Sequence, residues 1–171
     1  TDGDGVLDKG GKAVRFTFLL VASSKSTRRW STIYQQQLKR AGIAMRIQPI
    51  EWTAYLAKIR AHEFDMGTLG MALAGPYTDL YLQLHSSQIA DGQNYSAYRK
   101  PEVDELLMAI RGELDEAKRR QLSKKLQRLL ADEVPVIPLF TLTEPGLVSR
   151  RVGGVYRSPL WYQIRDWRLL R

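Results

Sequence analysis

The side chains that could do chemistry are few. His62 and His85 are the only imidazoles in the 171 residues. His62 precedes Glu63, but position 66 is Met, so the second histidine of an H-E-x-x-H zinc helix is missing. Cysteine is absent, which removes disulfides, thiolate metal sites and a thiol nucleophile. Ser86 and Ser87 adjoin His85, too close along the chain to face it as nucleophile and base, and the G-x-S-x-G nucleophile elbow does not occur. Phosphate-cradling glycine loops are also missing, so no catalytic residue, metal or cofactor is expected. Asp2, Asp4 and Asp8 imitate the inner part of a calcium loop, D-x-D-G-x-x-D. The position that should carry a bidentate Glu is Gly11, so a solvated turn is the expectation. What remains is binding chemistry. Tyr77, Asp79, Tyr81, Asn94 and Tyr95 lie within one polar stretch and offer hydrogen-bonding groups beside flat apolar surfaces, a mixture suited to an extended polar ligand.

The elements that must position this stretch follow from apolar spacing. Residues 14–21 (VRFTFLLV) predict a strand buried on at least one face. Trp30, Ile33, Tyr34, Leu38 and Ala41 recur at helical steps and predict a helix over about 27–41, stopped by Gly42. A second strand is expected over 44–50, a second helix over 52–60 and a third short strand over 64–69. Strand, helix, strand, helix, strand implies right-handed crossovers and a mixed, mainly parallel sheet flanked by helices, an α/β fold. The stretch 70–98 then leaves the carboxyl edge of the sheet, where open α/β sheets bind ligands, and is too long for a mere connector. A short helix is expected within it, around 79–84.

Two helices follow, over 101–111 and 115–133, the second capped by Asp115 and ended before Pro135. An apolar strand is expected over 136–143, paired with 147–150 across the Glu144, Pro145, Gly146 turn. Beyond Gly154 the chain turns to Arg and aromatic residues, with two of its four Trp in the last eleven positions. That tail has the character of a segment belonging against another surface.

An apolar fraction of 44% and a charged fraction of 26% exclude a disordered chain, and the length suits one packed core. A net charge of +8 permits a polyanionic partner, which keeps a basic nucleic-acid-binding α/β domain as the alternative reading. Against it, no five basic residues run together. The densest cluster, Lys118, Arg119, Arg120, Lys124, Lys125 and Arg128, shares a helix with apolar residues and reads as a solvated face. No stretch approaches the roughly 18 apolar residues of a membrane span. Any targeting signal is expected to have been removed or to lie upstream of Thr1.

In order along the chain, 2–12 (DGDGVLDKGGK), Arg29, 34–43 (YQQQLKRAGI), 50–52 (IEW), 63–65 (EFD), Gly70, 79–81 (DLY), 85–88 (HSSQ), 92–98 (GQNYSAY), 101–107 (PEVDELL) and 131–139 (ADEVPVIPL) resemble the carboxyl-terminal part of the family 5 solute-binding proteins, the oligopeptide-, dipeptide- and nickel-binding components of ABC importers. The resemblance implies one lobe of a type II periplasmic-binding-protein fold. Residues 1–150 would form the second lobe, and 151–171 a tail that returns to a first lobe supplied by the same protein. It implies a non-enzymatic module outside the cytoplasmic membrane, lipid-anchored in some settings, that closes on a peptide or other small polar solute and docks on an ABC permease, with no nucleic acid as partner. Gly70, Met71, Ala74, Asp79, Asn94 and Tyr95 would line the cleft, with Arg29 as a cation at the start of its helix. Two departures stand out. Met71 replaces the family's usual Trp, and Ala74 stands where members that grip a peptide amino terminus carry Asp, leaving Asp79 as the carboxylate that could substitute.

Overall fold

The computed structural model describes residues 3–71, 78–141, 147–155 and 166–170. They divide into two compact units, Thr1–Gly70 with Leu82–Pro101, and Met71–Tyr81 with Glu102–Arg171.

The first unit begins with a small hairpin, β1 (Asp8–Lys9) and β2 (Lys12–Ala13). The acidic turn before it is tied down, because Asp4 accepts the Val6 N–H at 2.8 Å and pairs with Arg15. The centre of the unit is a parallel pair, β3 (Arg15–Val21) and β4 (Ala44–Ile50), in register from Arg15 opposite Ala44 to Val21 opposite Ile50. Pro49 has no N–H to give a ladder, which suits β4 to an edge. Strand alternation sends side chains to both faces. Phe18, Leu20 and Met45 are buried on one face beneath Trp30, Tyr34 and Leu38 of helix α1 (Lys25–Arg40). Leu19 is buried on the other face with Tyr55 and Ile59 of helix α2 (Trp52–Arg60). Ser24 caps α1 and Glu51 caps α2, Glu51 accepting from the amides of Thr53 and Ala54.

The expected third strand shrinks to one parallel bridge between Phe18 and Met66, on the side of β3 away from β4. The physical reason is Tyr55, whose hydroxyl takes both backbone polar groups of Thr68 and withdraws that residue from a ladder. A chain that enters at β3 and adds neighbours on either side has its switch point at β3.

Gly42 joins α1 to β4 with φ of 75°, and its carbonyl accepts the Leu7 N–H at 2.7 Å. A Cβ there would come within 2.8 Å of Leu7 Cγ, so backbone and packing both require glycine. Gly42→Ala should lower stability by about 1–2 kcal/mol, read from the urea midpoint at unchanged slope.

After the four-residue helix α3 (Tyr81–Leu84), helix α4 (Pro101–Gly112) of the second unit buries Val103, Leu106 and Leu107, and helix α5 (Glu116–Glu133) buries Leu126. Asp115 caps α5 through the Lys118 amide, and Val134 ends it in the left-handed conformation just before Pro135. Lys125 pairs with Glu102 at 3.1 Å and Arg120 with Glu116 at 3.0 Å, so the basic cluster, apart from the half-buried Arg119, is an exposed face interleaved with acids. The expected strand over 136–143 does not form among its described residues, nor does its partner over 147–150. Pro138 interrupts the donors, and Val136, Ile137, Leu139 and Phe140 stand exposed. Residues 142–146, the turn between them, lie outside the described residues. The described part of the tail forms a short antiparallel pair, β5 (Val152–Gly153) with β6 (Arg168–Leu169). None of the helices among the described residues is long and apolar enough to cross a membrane.

Candidate functional site

Beyond the Met66 bridge the first unit carries helical residues 82–84 and a 3-10 turn, Ser86–Gln88, capped by His85 through the Ser87 amide. The chain then doubles back at Gly92, where a Cβ would lie 2.6 Å from the Gln88 carbonyl oxygen. Only glycine allows that approach. Asn94 follows, and its side chain is fully buried. Nδ2 donates to the carbonyls of Leu84 (3.2 Å), His85 (3.1 Å) and Tyr98 (2.9 Å), while Oδ1 accepts from Ser96 Oγ (3.1 Å) and the Tyr98 amide (3.2 Å). An amide so committed has nothing left for a ligand. Asn94 is the knot that holds residues 84–98 in one shape, a different role from the cleft-wall contact its polarity suggested. Tyr95 is half-buried against the Leu19, Tyr55 and Ile59 cluster, which fixes its backbone while leaving part of the side chain at the surface.

In the second unit Met71 is 46% exposed. Asp79 is half-exposed but not free. Oδ1 accepts the Tyr81 N–H at 3.0 Å, and Oδ2 lies 3.2 Å from Arg111 Nε. The same guanidinium lies over the Tyr81 ring, 4.4 Å from its centroid. The carboxylate expected to meet a ligand ammonium already meets a guanidinium.

Of the other expected site residues, Gly70 is exposed with open space around it, and Ala74 lies outside the described residues, as does Tyr77. Arg29 is exposed on α1, one turn beyond its start, and the contact with the loop before the helix is made by Arg28, which donates to the Ala22 carbonyl at 3.2 Å. The structure thus joins Asn94 and Tyr95 in one loop and leaves Arg29 apart from them. Two residues were missed. Arg111 shows no signal beyond its place in the last turn of α4. His62 does have one, because it occupies the position after a helix where glycine or asparagine is the common choice. Among the described residues, three or more His, Asp or Glu side chains do not gather closely enough to hold a metal.

Helices on both faces of a parallel pair, with a switch point at its first strand, define an α/β lobe of the type II periplasmic-binding-protein class. The chain belongs to the bacterial extracellular solute-binding proteins, family 5, whose middle-region model matches residues 1–92. It is 30% identical over 178 residues to the oligopeptide-binding protein AppA of Bacillus subtilis (strain 168), an alignment covering 100% of this chain and 32% of AppA. It is 26% identical over 168 residues to the dipeptide-binding protein DppE of the same organism, covering 95% of this chain and 31% of DppE. The solved structure of Bacillus subtilis AppA in complex with a nonapeptide superposes with a TM-score of 0.77 at 27% identity, covering 100% of this chain and 34% of that one. The chain spans less than a third of the length of these curated relatives.

Proposed function

We propose that the chain is one lobe of the substrate-binding component of an ABC importer, that it captures a peptide or peptide-like solute without catalysing a reaction on it, and that it works outside the cytoplasmic membrane for delivery to a permease. The observation that carries this reading is the superposition of the whole chain on a protein solved with a nonapeptide. The knotted loop is in keeping with it, since a loop held by its own hydrogen bonds presents the exposed part of Tyr95 at little ordering cost. In this reading Tyr95, Gly70 and Met71 contribute surface, and Asn94 contributes shape.

The exposed apolar side chains of the second unit support a neighbouring lobe. Phe140 is 60% exposed, Leu147 98% and Leu169 77%, levels that suit a surface covered by the remaining length of a longer protein. Leu170, in the described part of the tail, belongs to this set.

In this reading Asp79 does not anchor a ligand amino terminus, since its carboxylate is already paired with Arg111 at 3.2 Å. The test is titration of a protein carrying both lobes with a peptide library, followed by intrinsic fluorescence and thermal shift. Ligand-dependent closure and stabilisation are expected. Asp79→Asn should leave affinity for peptides with a free amino terminus within about threefold of the parent, under about 1 kcal/mol. A flat response across the library would overturn capture of peptides. A hundredfold loss in Asp79→Asn, specific to free amino termini, would restore Asp79 as the anchor.

A further inference from the structure

His62 lies just past α2, and both of its ring nitrogens face backbone carbonyl oxygens. Nδ1 is 3.1 Å from the Tyr95 oxygen and Nε2 is 3.1 Å from the Ile89 oxygen. A carbonyl oxygen can only accept. A neutral imidazole has one N–H and one lone pair, so it satisfies one of these oxygens and turns a lone pair on the other. The imidazolium donates to both. The two oxygens stand at the two ends of the stretch 89–95, so the ring spans the loop that carries the Asn94 knot.

The backbone shows that the side chain matters at this position. His62 has φ of 56°, and the amides around it wrap the helix end, Glu63 N donating to the Lys58 carbonyl at 2.9 Å and His62 N to that of Ile59 at 3.2 Å. Glycine adopts this conformation without strain, whereas a side chain costs stability there. Histidine adds what glycine lacks, a ring that reaches two strands of the loop. The charged groups that share its surroundings are Lys58 from α2 and Glu63 and Asp65 from the segment after it. Lys58 and Glu63 are paired with each other at 3.2 Å, and Asp65 is engaged by the Thr17 amide at 2.7 Å.

We propose that His62 is a proton-operated latch on the 89–95 loop: protonation ties both ends of the loop to the end of α2, and deprotonation releases one end. The sign follows from the donor count. The folded form gains a bond when the ring is charged, so the latch is closed on the acid side and opens as pH rises through the range in which histidine titrates, about pH 5 to 8. The latch itself does not depend on the function proposed above. Only its consequence does, namely that an acidic surrounding would stiffen the Tyr95 surface before ligand arrives.

The test is backbone hydrogen exchange of Gln93, Asn94, Tyr95 and Ala97 in the 171-residue chain from about pH 5 to 8, with the intrinsic rate divided out, beside the ring nitrogen resonances of His62. Protection should be about tenfold greater at the acid end, the effect of one hydrogen bond from a charged donor, and should follow the His62 titration curve. His62→Gly, which relieves the backbone, should flatten the profile. His85→Asn, which keeps a capping side chain, should preserve it. A flat parent profile, protection that does not follow the His62 resonances, an unchanged profile in His62→Gly, or its loss in His85→Asn would each overturn the latch.

Discussion

Asn94→Asp should cost about 4 kcal/mol of folding stability at neutral pH, a large fraction of what a domain of this size possesses. The two side chains have nearly the same shape, so packing is not the cause. Donors are. Nδ2 shares its two hydrogens among the carbonyls of Leu84, His85 and Tyr98, all within 3.2 Å. An aspartate oxygen in that place sets a lone pair against three others and strands all three carbonyls. Its remaining partners, Ser96 Oγ and the Tyr98 amide, are too few to hold a fully buried charge. The carboxyl is therefore driven toward its protonated form in the fold, which can return one donor. That carboxyl binds its proton more tightly folded than unfolded, so the deficit relative to the parent should narrow as pH falls. Urea midpoints at neutral and acidic pH read both effects. A loss below about 1 kcal/mol at neutral pH would show that the loop can be held without the knot.

The fold was legible where local and long-range preferences agree. Residues 44–50 and 52–60 form β4 and α2 at the expected bounds, because β-branched and apolar side chains favour the strand and Glu51 caps the helix that follows. The spacing of Leu122, Leu126, Leu129 and Leu130 likewise places α5, with Asp115 as its cap. Legibility failed where a backbone's partner is not set by its own residues. Residues 64–69 have strand-like composition, yet whether they ladder depends on Thr68, and Thr68 is claimed by a tyrosine thirteen residues earlier. The apolar run at 136–141 meets no ladder partner among the described residues, and periodicity alone cannot reveal that.

The candidate site divides the same way. That 70–98 would be more than a connector could be read from its length and residue types. Which of its polar side chains face outward could not, because Asn and Asp serve the backbone as readily as a ligand. Asn94 and Asp79 looked alike as free hydrogen-bonding groups. One proves to be the loop's internal scaffold and the other half of an ion pair with Arg111, a residue remote from it in sequence. On the function proposed above, Tyr95 and Gly70 would supply ligand-facing surface from the first unit and Met71 from the second, residues that contribute shape and apolar area more than charge.

Tyr55→Phe should lower stability by about 3 kcal/mol, although it removes a single oxygen. That oxygen donates to the Thr68 carbonyl at 2.6 Å and accepts the Thr68 N–H at 2.7 Å, so one hydroxyl satisfies both backbone polar groups of a residue. The ring is fully buried between Leu19 and Ile59, and the substitution leaves donor and acceptor unpaired together. Burial also pushes the Tyr55 phenol above the usual tyrosine value of about 10, against the smaller opposing pull of the Thr68 hydrogen bonds. A group that holds its proton more tightly when folded contributes stability that is intact below its unfolded value and fades as pH climbs past it. The parent should therefore lose stability more steeply than Tyr55→Phe as pH rises past about 10, and the gap between their urea midpoints should shrink there. Because Thr68 stands just before Gly70 and Met71, the same variant should also loosen the start of the loop, visible as faster amide exchange there than in the β3 and β4 core. Equal alkaline slopes in the two proteins would mean that the hydroxyl reaches water in the fold, and the clamp on Thr68 would no longer explain why the third strand stops at Met66.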